Sequence, residues 1–234
     1  MSAKPAHLYY EFAGRREYCL GIGDAGATRT VMFVPPLFDE MNRTRAMLVA
    51  AMRDLSWRGV QSLLPDLPGC NESTSPIVEQ TVESWRAAMA TAAEQFGATH
   101  IATLRGGALL TGGIALPEWR LAPAKGASLL KTMLRTRIAA DKEAGKASTA
   151  DSLLAEANVA PVELAGYTLS AAMLFSLGHS EANTGEMVRE VTLGDGPGAV
   201  IGSPLWLRAE PQSDQAMSVA IATDLDRWSA SCSG

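Results

Sequence analysis

The sequence predicts an α/β domain, a mostly parallel sheet with helices on both faces. Three observations carry this. The runs 31-VMFVPP-36, 60-VQSLLPD-66 and 99-THIATL-104 are mainly apolar without alternation, as strands covered on both sides are. Between them lie longer stretches with apolar residues at helical spacing. Strand and helix then alternate through short linkers, which is the pattern of parallel strands joined by crossover helices.

The elements follow in order. Residues 7-HLYYEF-12 and 17-EYCLGI-22 are short and β-prone, with Gly14 between them, and read as an N-terminal hairpin. The strand at 31–36 is stopped by two prolines. Residues 42–58 carry Met47, Leu48, Ala51, Met52 and Leu55 on one helical face, with Gly59 as the C-terminal stop. The strand at 60–66 comes next. A second helix spans 77–96, on Val78, Val82, Trp85, Met89, Ala92, Ala93 and Phe96. The strand 99–104 runs into a small-residue helix starting at Gly106. Residues 118–124 read as a further strand, 127–157 as polar helix and 168–178 as another helix. Three late strands are expected at 186–193, 198–202 and 204–210. A last helix covers 213–228, capped by Ser213 or Asp214. The linkers are too short to mark a domain boundary. The expectation is one domain over 1–234, with the polar helical middle, about 125–185, as a lid inserted into it.

Composition narrows the function classes. The chain has 234 residues, 47% hydrophobic and 19% charged, which suits a soluble globular domain with a large core. Net charge is −5 and no basic cluster is dense, which argues against nucleic-acid binding. Cys19, Cys70 and Cys232 are far apart, so neither a disulfide framework nor a thiolate metal site is expected, and no cofactor is implied. The opening MSAKPAHLYYEF lacks the pattern of a secretory signal, and no run of 18 apolar residues suggests a membrane span. A reduced, cytoplasmic protein is expected.

In an open parallel sheet, ligands bind beyond the carboxyl ends of the strands. Those ends carry 35-PPLFDEMNRTR-45, 65-PDLPGCNES-73 and 104-LRGGALL-110. The second contains 66-DLPGCNES-73, which looks like the D-x-x-G-x-G-x-S turn after the fourth strand of α/β-hydrolases, with Asn71 for the second glycine. A narrower likeness spreads over VPPLFDEMNRTR, LLPDLPGCNES, 121-LAPAKGASLLKTMLRTRIA-139, 163-ELAGYTLS-170 and 202-GSPLW-206. Together with the glycine-rich turn at 104–107, these resemble the hydrolase-like proteins of the exosortase A system of exopolysaccharide-producing bacteria, in their second type. The resemblance implies an α/β-hydrolase fold and a role in exopolysaccharide production or export.

The residues depart from hydrolase chemistry at two places. A nucleophile elbow reads G-x-S-x-G. Here it reads Thr103-Leu104-Arg105-Gly106-Gly107. The small residues after the turn remain, but a guanidinium stands where the serine would be, and it has no nucleophilic atom at neutral pH. The base of such a triad follows the nucleophile and the acid in the chain. The histidines are His7, His100 and His179, and residues 180–234 contain none.

Arg105 therefore has two readings. In one, the turn is an anion-binding pocket, with Gly106 at a helix N-terminus, Asn42 and the amides of Phe38, Asp39, Glu40 and Met41 lining it, and Cys70 nearby. In the other, Arg105 is paired with Asp39 or Glu40 in a closed salt bridge. Cys70 reads as a small buried residue, or as a nucleophile if His179 reaches it. Asp66 reads as the cap of its own turn, Ser73 as a cap for the next helix, Trp206 as core or pocket wall, and His179 with Glu181 as lid surface. Three functions follow: a non-catalytic binder of an anionic or acyl small molecule, an esterase or thioesterase with unconventional residues, and an adaptor for protein partners.

Overall fold

The structure is a computed structural model that describes residues 4–185, 187–208 and 210–232. A hairpin opens it, Ala6–Phe12 (β1) and Arg15–Ile22 (β2). Its two-residue turn, Ala13 and Gly14, has φ of 49° and 75°, as a tight hairpin turn requires. Then come Thr30–Val34 (β3), Asp39–Trp57 (α1), Gln61–Pro65 (β4), Val82–Gln95 (α2) and His100–Leu104 (β5). Glu118–Leu121 (β6) follows, then Gly126–Glu143 (α3), Ala150–Ala157 (α4), the small hairpin Val162–Leu164 (β7) and Tyr167–Leu169 (β8), and Ala171–Gly178 (α5). Val188–Val191 (β9) and Gln215–Ser231 (α6) complete the chain.

Seven strands form one sheet in the order β1-β2-β4-β3-β5-β6-β9. β2 is antiparallel to β1 and β4, and every pairing from β4 across to β9 is parallel. Adjacent residues of β3 point to opposite faces and join different cores. Met32 and Val34 pack with Trp85 and Met89 of α2 and with Leu129 and Met133 of α3. Val31 and Phe33 pack with Leu48 and Met52 of α1 and with Ile221 and Leu225 of α6. This double cover is why the strand reads as an unbroken apolar run.

Four expectations need correction. The helix from Gly106 is only a six-residue 3-10 turn, Arg105–Leu110. Two glycines open it and Gly112 and Gly113 follow, so too few good helix formers remain for an α-helix. The helix expected at 77–96 starts later, at Val82, where Thr81 and Ser84 form a reciprocal cap. Ser73 is not that cap: its hydroxyl accepts the Gly69 and Ser75 N–H groups, at 2.8 and 3.1 Å, and so ties its own turn. The stretches 198–202 and 204–210 hold no strand among the described residues. They give one bridge, Leu193 with Val200, and a 3-10 turn, Leu205–Leu207. Gly198 (φ 78°), Gly202 and Pro204 break any ladder there. Glu186 and Ala209, within two of the expected strands, lie outside the described residues.

The helical middle is interrupted at two points. Gly145, at φ 75°, ends α3's last turn, and Thr149 with Ser152 caps α4. The β7–β8 hairpin turns at Ala165 and Gly166, at φ 51° and 81°, before Ser170 caps α5. Asp214 caps α6, accepting the Met217 N–H at 2.9 Å. No helix among the described residues is long and apolar enough to cross a membrane.

Candidate functional site

Two of the three strand ends, those after β3 and β5, meet at one cavity of about 480 Å³, and the 65–73 turn after β4 does not line it. Its floor is Leu37, Phe38, Asp39, Glu40 and Arg43, from the loop after β3 and the first turn of α1, together with Arg105 from the turn after β5. Its walls are Leu129, Thr132, Met133 and Thr136 of α3, Ala165 of the small hairpin, and Trp206 and Leu207 of the last 3-10 turn. The segment between β6 and β9 thus supplies one side of the cavity.

Arg105 sits in a strained turn. Its φ is 52°, in the left-handed region that a non-glycine residue occupies at a cost of roughly 1–2 kcal/mol. The strain follows from how closely the chain passes its neighbours. A Cβ on Gly107 would lie 2.5 Å from the Val34 carbonyl oxygen and 2.8 Å from that of Pro35. One on Gly106 would lie 2.6 Å from Leu129 Cδ1. Phe38, at φ 56°, bends the opposing loop in the same way.

The guanidinium is held from three sides. Nε donates to Glu40 at 3.3 Å (Oε2) and 3.4 Å (Oε1), and Nη2 donates to Oε1 at 3.2 Å. Nη1 donates to the Ala122 carbonyl at 3.2 Å. The Trp206 ring lies under it, with Arg105 Cζ 4.9 Å from the ring centroid. The ion pair therefore forms with Glu40. Asp39 is on Arg43 instead, four residues along the same helix, while Arg43 Nη1 also donates to the Trp206 carbonyl at 2.9 Å. Burial pushes the Glu40 carboxyl above its ordinary range, and Arg105 opposes that shift without cancelling it. The pair is part of the cavity floor, and the space above it stays open.

The remaining candidates lie elsewhere. Met41 is buried in the core beneath the floor, and Asn42 is exposed. Gly106 is buried behind Arg105 and does not line the cavity. Cys70 is buried, and desolvation pushes its thiol up to about 12, so it is an unreactive core residue at neutral pH. His179 is exposed at the end of α5, its Nδ1 2.8 Å from the Phe175 carbonyl oxygen, and shares no contact with Cys70. Glu181 pairs with exposed Lys125. His100 stacks edge-on against Trp228 at the opposite end of β5, and His7 bonds Tyr18 on the first hairpin. Asp66 caps its own turn: Asn71 Nδ2 donates to it at 2.8 Å and Arg45 Nη1 at 3.1 Å. Asn71 holds the turn at φ 49°, the strained position a glycine would occupy freely.

Sequence reasoning did not single out Arg43 or the α3 wall. Leu129, Thr132, Met133 and Thr136 share one helical face, at spacings of three and four, and that signal was readable.

No protein-family model and no curated protein matches the chain. Solved structures do match, all at low identity. Est1E from Butyrivibrio proteoclasticus, solved with ferulic acid bound, superposes with a TM-score of 0.57 at 13% identity over 80% of this chain and 78% of that one. A protein from Agrobacterium vitis S4 assigned as a hydrolase gives 0.50 at 14% identity over 82% and 79%. An epoxide hydrolase from Vigna radiata gives 0.41 at 16% identity, over 50% of this chain and 40% of that one, so this chain spans well under half of that enzyme. The sheet order and the likeness to Est1E make the architecture an α/β-hydrolase fold.

Proposed function

We propose that this chain is a non-hydrolysing protein of α/β-hydrolase fold that binds an anionic or acyl-bearing small molecule in the cavity at Arg105. We further propose, from the sequence resemblance, that it serves exopolysaccharide production or export. The observation that carries the binding reading is Arg105 itself. It holds the strained elbow position, and its guanidinium faces a cavity large enough for a drug-sized ligand. A nucleophile there would need a base delivered by the loop after the last strand. That loop instead brings Trp206, whose ring lies against the guanidinium. Acyl transfer through a serine has neither of its two moving parts in this arrangement.

The apolar walls, Leu129, Met133, Trp206 and Leu207, suit an acyl chain, and the guanidinium suits its oxygen-bearing head. An adaptor whose cavity is vestigial would need no such space, and the open 480 Å³ favours the small-molecule reading over it.

The test is a melting-temperature screen on wild type and Arg105→Ser. The panel holds inorganic phosphate, sugar phosphates, acyl phosphates, short carboxylates and acyl amides. A ligand at a hundredfold excess over its Kd stabilises the native state by about 2.7 kcal/mol. At this chain length that raises Tm by roughly 5–10 °C. The expected result is a shift in wild type that Arg105→Ser loses. Saturable turnover of p-nitrophenyl esters above that of heat-denatured protein would overturn the non-hydrolysing part. No shift with any compound would overturn the binding part.

A further inference from the structure

The charges on the cavity floor are already matched, and this restricts what Arg105 can hold. Among the lining residues the charged ones are Asp39, Glu40, Arg43 and Arg105, two carboxylates and two guanidiniums. Each guanidinium has its own carboxylate, Asp39 on Arg43 and Glu40 on Arg105. Arg105 has five N–H groups. The contacts with Glu40 and the Ala122 carbonyl engage three of them, and two remain for a guest. Those two are ordinary hydrogen-bond donors beside a carboxylate, and they are not an uncompensated positive charge.

We infer that Glu40 sets the charge selectivity of the cavity: with its carboxylate on Arg105, the site accepts an uncharged hydrogen-bond acceptor, such as an acyl carbonyl, and discriminates against an anion. The inference rests on the binding reading above and chooses between its two ligand classes. An anionic head at Arg105 would lie within a few ångströms of Glu40, in surroundings that keep only a sixth of that side chain accessible. The two negative charges would share one guanidinium, and the repulsion is strong where water is scarce. A neutral carbonyl takes the same two N–H groups without adding charge. Burial already disfavours the carboxylate that Arg105 holds, as the raised Glu40 titration indicates. The second guanidinium offers only partial relief: Arg43 acts on Glu40 through space, but its close contacts go to Asp39 and to the Trp206 carbonyl. Glu40 thus acts through Arg105 as a positioning and selectivity residue.

The experiment compares two isosteric probes, octanamide and octanoate, by calorimetry at pH 7.5 on wild type, Glu40→Gln and Glu40→Asp. Wild type is expected to bind the amide at least tenfold more tightly than the carboxylate. Glu40→Gln leaves Arg105 uncompensated, and the preference is expected to reverse in favour of octanoate. Glu40→Asp keeps the charge and is expected to keep the preference for the amide. The wild-type ratio needs no variant to fold, so it tests the inference by itself. Equal or tighter binding of octanoate by wild type overturns the selectivity while the binding reading stands. A ratio that Glu40→Gln leaves unchanged overturns Glu40 as its cause. Binding of neither probe by wild type overturns the acyl ligand class within the binding reading, and the selectivity falls with it.

Discussion

Arg105→Ser puts back the hydroxyl that an elbow of this fold ordinarily carries, and the structure predicts a less stable protein with no ester turnover. The substitution leaves the backbone at φ 52° as strained as before and removes the cation from Glu40. The pair keeps 20% (Arg105) and 16% (Glu40) of its side-chain surface, and its contacts are long, 3.2–3.4 Å. Breaking a fully buried pair from one side costs about 3–5 kcal/mol, and a solvent-exposed pair is worth about 0–1. This pair lies between those limits, with Arg43 near enough to share the orphaned charge, so the loss is about 2 kcal/mol. For a chain of this length that lowers Tm by roughly 4–8 °C. Glu40→Gln alone costs less, about 1 kcal/mol, because the amide oxygen still accepts from Arg105. The double variant is expected to lose about 1–2 kcal/mol less than the sum of the single losses, which is the coupling between the two side chains. Thermal unfolding followed by circular dichroism measures all four proteins. Single losses that add to the double within about 0.5 kcal/mol would refute the account, since the pair would then be screened and energetically silent.

Three other expectations are independent of the ligand. Gly107→Ala drives a methyl against the Val34 and Pro35 carbonyl oxygens, at 2.5 and 2.8 Å, and is expected to destabilise by about 1–3 kcal/mol, read as a lower urea midpoint; an unchanged midpoint would mean the turn relaxes freely. A native thiol titration should count one reactive cysteine, exposed Cys232, because burial pushes Cys19 and Cys70 up to about 12; all three should react once the chain is unfolded, and a second fast thiol in the native protein would contradict the burial. At the end of α3, Ser148 and Arg137 donate to Asp141, at 2.5 and 2.9 Å, and hold its carboxyl below the usual range. The stability this contributes is present above the unfolded value of 3.8 and is lost as pH falls through the lower folded value. Asp141→Asn should therefore melt lower than wild type at pH 6 and approach it near pH 2, and a difference constant over that range would rule the linkage out.

The parallel core was legible because strands covered on both faces have to be apolar at every position, and the crossover helices between them carry the complementary stripe. β3, β4 and β5 with α1 and α2 came from that signal. The last third was less legible. Its apolar residues are as dense, but Gly198, Gly202 and Pro204 deny them a ladder, so Trp206 lies on a 3-10 turn and packs toward the cavity. The β7–β8 hairpin lies mostly in the gap between the two expected helices and went unread, since three-residue strands are too short for periodicity to register. At the site, the sequence left Arg105 a choice between Asp39 and Glu40. Helical spacing could have settled it: Asp39 and Arg43 are four apart on α1 and satisfy each other, which leaves Glu40 for the neighbouring loop. The size of the cavity, the Trp206 stack and the α3 wall depend on how distant segments pack, and no local pattern encodes their distances.

The contact of one guanidinium with a carboxylate from the first turn of α1 and an indole from the turn before α6 also has a consequence for mutational paths. Under the non-hydrolysing function proposed above, conversion of this chain into a serine hydrolase would need a hydroxyl at 105 and a base near 206, on segments about a hundred residues apart, with Glu40 relieved of its orphaned charge. Each step alone is a loss: serine without the neutral partner strands Glu40, and histidine without the serine sets a titratable ring against a guanidinium. The route crosses a fitness valley in whichever order it is taken, since no intermediate gains a function to offset what it gives up. Directed evolution by single substitutions is therefore expected to stall here, whereas a library varying positions 40, 105 and 206 together would reach genotypes that no stepwise walk visits.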